Sequence, residues 1–99
     1  EIRSVDSAAN PYLTLAVTIA AGLKGIEEGL TLEPPATCDI FSMSADQVAA
    51  AGYAPLPRDL SRAIDAFEAS ELMREVLGDA VHGYLVRAKR AEWRNTARM

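Results

Sequence analysis

A long apolar helix near the N-terminus sets the packing requirements of this chain. Asn10 followed by Pro11 predicts its start, because an asparagine side chain caps free backbone amides and the fixed φ of proline suits the first helical position. We predict that this helix covers residues 10–28 and stops at Gly29. Its large apolar residues are spread over most of the helix circumference: Leu13, Leu15, Val17, Ile19, Leu23 and Ile26. We therefore expect a buried helix that packs on more than one side, with a sheet behind it.

Residues 1–5 are the one segment that we predict to be a strand. In an extended segment, Glu1 and Arg3 point to one side and Ile2 points to the other. The remaining sequence has helical character, so this strand has no partner within the chain, and unpaired strand backbone is unfavourable. We therefore expect the chain to be cut from a larger domain that contains a sheet.

Further helices follow a loop that contains Pro34 and Pro35. Ser44 with Gln47 three residues later has the form of a capping box. The apolar residues of the next helix have the i, i+3, i+4, i+7 spacing of a single face: Leu60, Ala63, Ile64 and Phe67. The predicted helices cover residues 44–51, 59–69, 70–77 and 79–97. The fold class predicted for the chain is mainly α, with one N-terminal strand and then four to five helices.

The net charge, the apolar stretches and the cysteine content of the chain argue against several classes of function. A net charge of −4 argues against nucleic acid as a partner, because phosphate binding requires a basic surface. The apolar stretch from Tyr12 to Leu23 is shorter than the roughly 20 residues that cross a bilayer, so no membrane partner is expected. One cysteine, Cys38, excludes an internal disulfide and suits the reducing cytoplasm, where we expect the protein. Residues 87–99 carry five basic side chains against Glu92 alone, which we interpret as a solvated or subunit-facing helix.

The charged pair Glu1 and Arg3 is the candidate for chemistry. A carboxylate supplies the hard oxygen ligand that a divalent cation prefers, and a guanidinium can hold an anionic substrate through two parallel hydrogen bonds. Opposite charges two residues apart also form ordinary surface pairs, and spacing alone favours that interpretation. His82 lacks a set of metal ligands at helical spacing, so we predict that it is structural or exposed rather than a metal ligand.

Several spaced motifs together resemble the C-terminal part of the catalytic domain of glutamine synthetases. The residues that carry the resemblance are Glu1-Ile2-Arg3, Asp6, Ala9-Asn10-Pro11-Tyr12-Leu13 and Ala20-Ala21-Gly22-Leu23-Lys24-Gly25-Ile26. Weaker similarity continues through Leu56-Pro57, Leu77-Gly78-Asp79 and Lys89-Arg90-Ala91-Glu92-Trp93. The chain departs from the family pattern at Lys24, where an aspartate is usual. The first arginine of the family's Arg-x-Glu-x-Arg motif would lie just before Glu1.

The resemblance implies a fold and a reaction for the intact protein. Residues 1–99 would be the C-terminal segment of an α+β catalytic domain, in which helices back an antiparallel sheet or barrel. The enzyme would be an ATP-dependent ligase that forms glutamine from L-glutamate and ammonia through a γ-glutamyl phosphate. Glu1 would be a ligand of Mg²⁺ or Mn²⁺, and Arg3 would bind L-glutamate and act as a catalytic residue. The family also implies a homo-oligomer of stacked rings, a dodecamer, whereas the isolated segment would be inactive.

Residue 41 lies at a position that has a regulatory role in part of the family. Some bacterial members of the family carry a tyrosine that receives an adenylyl group in a segment similar to residues 39–43, where this chain has Phe41, so we expect no adenylylation there.

A related ligase that joins a polyamine or another amine to glutamate fits the resemblance too, because the amine pocket lies outside this chain. The other alternative is a non-catalytic helical interaction module that shares only the scaffold.

Overall fold

Four α-helices make up the regular structure of the part of the chain that the computed structural model describes, residues 1–97. They are α1 (Pro11–Glu27), α2 (Ala45–Ala50), α3 (Leu60–Ala69) and α4 (Glu71–Ala97), and one turn of 3₁₀-helix spans Ile40–Ser42. The longest helix, α4, packs against both α3 and α1. Among these helices, none is long and apolar enough to cross a membrane.

The predicted N-terminal strand is wrong. Residues 1–5 have no regular structure, and no strand occurs anywhere in residues 1–97. A strand exists only through hydrogen bonds to a neighbouring strand, and the helices of the described chain offer none. Ile2, which we placed on the side opposite Glu1 and Arg3, is consequently exposed. The mainly α character of the chain is correct without the strand.

Helix α1 begins through the local interactions that its sequence predicts. The Asn10 side-chain oxygen accepts hydrogen bonds from the backbone amides of Tyr12 (2.9 Å) and Leu13 (3.3 Å), and Pro11 occupies the first turn. None of its 17 residues is buried, although we expected a buried helix. Helix α4 covers one side of it, and residues 1–97 provide no second layer to cover the other. The exposed side carries large apolar residues: Tyr12, Leu15, Ile19, Leu23 and Ile26.

Short-range caps also fix the helices that follow. The capping box predicted for α2 is present, with Gln47 N donating to Ser44 Oγ and Ser44 N donating to Gln47 Oε1. Asp59 caps α3 by accepting a hydrogen bond from Arg62 N at 2.8 Å. Each cap satisfies backbone amides that the first helical turn leaves free, so these starts depend on neighbouring residues alone.

The packed centre of the described chain lies between α3 and α4. Ile64 of α3 and Val86 of α4 are its buried apolar residues. His82, also buried, stacks on the ring of Phe67 with the ring centroids 4.7 Å apart. Its Nε2–H donates to the carbonyl oxygen of Phe67 at 2.9 Å, and because a carbonyl only accepts, Nε2 must carry the hydrogen. His82 therefore holds the C-terminal end of α3 against α4, and of the two predicted alternatives, structural or exposed, the structural one is correct.

Ion pairs fasten α4 to its two neighbours. Arg90 Nη2 donates to Asp65 Oδ1 at 3.0 Å and to Glu68 Oε1 at 2.9 Å, both on α3. The hydrogen bonds that Arg90 donates, to Asp65 first and to Glu68 second, raise the pKa of Arg90 above its ordinary value, because carboxylates favour the charged guanidinium. On the other side, Lys24 of α1 lies 3.8 Å from Glu75 of α4. Both contacts are partly solvated, so each adds only modestly to stability.

Gly78 interrupts α4. Its φ of 83° and ψ of 158° are not helical and belong to a region of backbone space that residues with a Cβ rarely adopt. The helix therefore consists of a short part before Gly78 and a longer part after it. Glu75 and its ion pair to α1 lie before the interruption, whereas His82, Val86 and Arg90 lie after it.

Replacing Gly78 by alanine will destabilise the chain. The strained backbone should lower the free energy of unfolding by about 1–3 kcal/mol. Gly22→Ala is the matched control, since Gly22 lies within α1 and a Cβ there would meet no neighbouring side chain within 4 Å, and it should raise stability by about 0.5–1 kcal/mol. Urea unfolding followed by far-ultraviolet circular dichroism measures both changes. Equal effects of the two substitutions would contradict the interruption at Gly78.

Substitution of His82 will separate stacking from hydrogen bonding. His82→Ala removes both and opens a cavity, so we expect a loss of about 2–4 kcal/mol. His82→Phe keeps the stacked ring and loses only the hydrogen bond, and Phe67 O still accepts from Ser70 N at 3.2 Å, so the loss should be smaller. The same urea titration compares them. A loss in His82→Phe as large as that in His82→Ala would show that stacking contributes little.

Candidate functional site

The structure brings the two predicted site residues, Glu1 and Arg3, together. Arg3 Nε donates to Glu1 Oε1 at 2.6 Å, and the side chains are 86% and 72% exposed for Arg3 and Glu1. The contact forms without a strand, since spacing of two residues suffices to bring the groups to one side. Because both side chains face solvent, an anion can approach the guanidinium and a cation can approach the carboxylate.

A tight turn joins this pair to α1. Asp6 closes the turn by accepting hydrogen bonds from Ala8 N through Oδ1 at 2.9 Å and from Ala9 N through its carbonyl oxygen at 3.0 Å. Asn10 then caps α1, and Thr14 N donates to its carbonyl oxygen. The capping role predicted for Asn10 is confirmed, and Asp6 forms the turn that precedes it. Their polar atoms are used by the backbone, and they tie the end of the charged segment to the start of the helix.

The described residues do not contain a complete set of ligands for a metal ion. No group of three or more His, Cys, Asp or Glu side chains in residues 1–97 is placed to hold one ion. Glu1 offers a carboxylate of the right chemistry, but Mg²⁺ requires close to octahedral oxygen coordination. Glu1 therefore fits a divalent cation only as one ligand among several that come from outside the described residues.

Phe41 lies in the single turn of 3₁₀-helix and is fully exposed. Asp39 caps this turn by accepting a hydrogen bond from Phe41 N at 3.1 Å. The nearby thiol of Cys38 donates to the sulfur of Met43 at 3.7 Å and is not in a disulfide. Nothing in these contacts tests the expectation that residue 41 is not adenylylated, which stays a prediction.

One hollow between α3 and α4 was not anticipated from the sequence. It has a volume of about 260 Å³, and apart from Lys89 its lining is apolar: Leu60, Ala63, Ile64, Phe67, Leu85 and Val86. The helical spacing of residues 60–67 predicts the apolar face that forms one wall. Substrate sites normally combine apolar walls with several convergent polar groups, which this hollow lacks. The hollow therefore belongs to the packing of the two helices rather than to a catalytic centre.

Comparison with known proteins identifies relatives along the whole chain. The family "Glutamine synthetase, catalytic domain" matches residues 1–99. A protein named glutamine synthetase from Mycolicibacterium smegmatis is 48% identical over 95 residues, which are 96% of this chain and 21% of that protein. The protein of the same name from Mycobacterium tuberculosis strain H37Rv has the same identity and coverage. A glutamine synthetase from Staphylococcus aureus strain N315 is 37% identical over 93 residues, 94% of this chain and 21% of that protein. The chain thus spans about a fifth of the length of these curated relatives.

Removing the Asn10 cap will weaken the start of α1. Asn10→Ala leaves the amides of Tyr12 and Leu13 without their acceptor, so we expect a loss of about 0.5–2 kcal/mol in the free energy of unfolding. Asn10→Asp keeps an acceptor oxygen and is the matched control. Circular dichroism gives the helix content, and urea titration gives the stability. An alanine variant as stable as the aspartate variant would contradict the capping role.

Proposed function

The chain belongs to the glutamine synthetase family through its catalytic domain, and from this we propose that it is the C-terminal segment of an ATP-dependent ligase. The reaction that we propose for the intact protein joins ammonia to the γ-carboxylate of L-glutamate. In the first step the γ-phosphoryl group of ATP is transferred to that carboxylate, which gives γ-glutamyl phosphate and ADP. Ammonia then attacks the acyl carbon, phosphate leaves, and glutamine forms with loss of a proton.

The observation that carries this proposal is the match over residues 1–99, which includes the Glu1-x-Arg3 motif. Identities of 37–48% extend over nearly the full chain rather than over one short motif. The exposed, paired side chains of Glu1 and Arg3 supply the chemistry that such a site needs.

Arg3 is proposed to bind L-glutamate and to act as the catalytic residue of this segment. Negative charge develops on oxygen when the carboxylate is phosphorylated and again when ammonia attacks. A guanidinium donates up to two parallel hydrogen bonds to such oxygens and stays charged at any physiological pH. The Arg3 Nη groups are not used by the contact with Glu1, which engages Nε alone. They remain available to an anionic oxygen of substrate or intermediate.

Glu1 is proposed as one ligand of Mg²⁺ or Mn²⁺. A bound divalent cation would supply charge that offsets the phosphate oxygens of ATP. Glu1 contributes a hard carboxylate oxygen. Its contact with Arg3 keeps that carboxylate beside the guanidinium that we propose to bind L-glutamate. Because residues 1–97 hold no larger group of potential ligands, we assign the remaining ligands to other parts of the intact protein.

We also propose an oligomeric state, a cellular location and the absence of one form of regulation for the intact protein. We propose a homo-oligomer of stacked rings, a dodecamer, in the cytoplasm, with active sites completed by sequence outside this segment. Residues 1–99 alone should be inactive, since they cover only 21% of the length of their relatives. We also propose that residue 41 is not adenylylated, because phenylalanine has no phenolic oxygen to accept the group.

The test of function is ADP release by the full-length protein with L-glutamate, Mg²⁺ and ammonia. Arg3→Ala should lower kcat by about 10²–10³-fold, the range for removing a donor that stabilises developing charge. Arg3→Lys keeps the charge and loses the paired geometry, so it should recover only part of the rate. Arg58→Ala is the matched control, because Arg58 is an exposed arginine outside the site.

The same assay separates the alternatives. Turnover with a polyamine or another amine, and none with ammonia, would identify the related γ-glutamyl ligase instead. A protein that releases no ADP with any amine, and binds neither ATP nor L-glutamate in calorimetry, would overturn the enzyme proposal and leave a helical interaction module. Full activity of Arg3→Ala would contradict the role of Arg3.

A further inference from the structure

Asp6 begins a stretch of hydrogen-bonded backbone that leads directly into α1. Its side-chain Oδ1 accepts a hydrogen bond from Ala8 N at 2.9 Å, and its carbonyl oxygen accepts one from Ala9 N at 3.0 Å. Asn10 follows at once as the cap of α1. The backbone from Asp6 to the first turn of the helix is therefore held in one conformation by contacts between near neighbours in the sequence.

The turn at Asp6 depends on no other part of the protein. An aspartate side chain that accepts from the amide two residues later forms a turn by itself, because donor and acceptor lie in the same short segment. The chain covers about a fifth of the length of its relatives, 21% of the protein from Mycolicibacterium smegmatis. A turn formed by adjacent residues needs nothing from the other four-fifths, so we expect the same turn in the intact protein.

Arg3 is separated from this turn by two residues, Ser4 and Val5. Three residues of extended chain span at most about 10 Å, so the turn limits how far the guanidinium can move. Residues 1–5 are exposed and have no regular structure, whereas α1 packs on α4. The direction in which the chain leaves the turn therefore decides where the guanidinium of Arg3 lies relative to the helices.

We infer that Asp6 is a positioning residue for Arg3. The inference rests on the proposed function, in which Arg3 binds L-glutamate. Asp6 acts through the backbone, since its Oδ1 is engaged by Ala8 N. Loss of this carboxylate leaves Ala8 N without its acceptor and loosens the turn, so the guanidinium is displaced from the substrate. A displacement of about 1 Å at a group that positions substrate can lower a rate about 10²-fold.

ADP release by the full-length protein with L-glutamate, ammonia and Mg²⁺ tests the inference. Asp6→Ala should lower kcat/KM for L-glutamate by about 10–100-fold. Asp6→Asn keeps a side-chain oxygen that can form the same turn, so it should recover most of the activity. Asp39→Ala is the matched control, because Asp39 Oδ1 accepts from Phe41 N at 3.1 Å with the same spacing but outside the candidate site, and it should leave activity unchanged.

A double substitution separates positioning of Arg3 from a general effect on folding. If Asp6 acts through Arg3, its loss should matter little once Arg3 is gone, because the effects of coupled residues do not add. The Arg3→Ala, Asp6→Ala variant should therefore have the kcat/KM of Arg3→Ala alone, to within about twofold. Circular dichroism of each variant shows whether the helices have formed.

The outcomes divide clearly. A loss of activity in Asp6→Ala, recovery in Asp6→Asn and no further loss in the double variant support the inference. An active unsubstituted protein overturns the inference alone if Asp6→Ala is equally active, if Asp6→Asn does not recover, or if the two losses multiply. An unsubstituted protein that forms no ADP with any amine overturns the proposed function and the inference with it.

Discussion

The packing of α4 on α3 is the interaction on which the rest of the described structure depends. Within residues 1–96, the buried side chains are Ile64, Val86 and His82, and all of them lie at this junction. Apolar contact supplies the attraction there, while the histidine fixes the relative position of the helices through a hydrogen bond that has direction. Helix α1 is attached to this hairpin along one side only, which explains its large exposed apolar surface.

Helix starts could be predicted from sequence, whereas tertiary partners could not. Asn10 and the Ser44–Gln47 pair act on amides two or three residues away, so the residues that decide the outcome are adjacent in the sequence. The proposed strand at residues 1–5 failed because a strand needs a second segment whose presence no local pattern can guarantee. The buried environment of His82 was missed in part for the same reason, since its partner Phe67 lies 15 residues away.

The candidate site shows a second limit of prediction from sequence. Spacing predicts that Glu1 and Arg3 can meet, and they do, but the same spacing produces many surface pairs without function. What distinguishes this pair is its position within motifs that extend through Asn10 and α1, together with the family match. Physical chemistry then explains what the carboxylate and the guanidinium can each bind. The reaction itself is inferred from membership of the family rather than from the geometry of two exposed side chains.

The conformation of Gly78 determines how the two parts of α4 are oriented. The ion pair from α4 to α1 lies before the glycine, and the buried contacts from α4 to α3 lie after it. The two backbone dihedral angles of this residue therefore set the angle between the part of α4 that carries the ion pair to α1 and the part that carries the buried contacts to α3. A residue with a Cβ would disfavour these angles, so the glycine at this one position determines how the two parts of the helix are arranged.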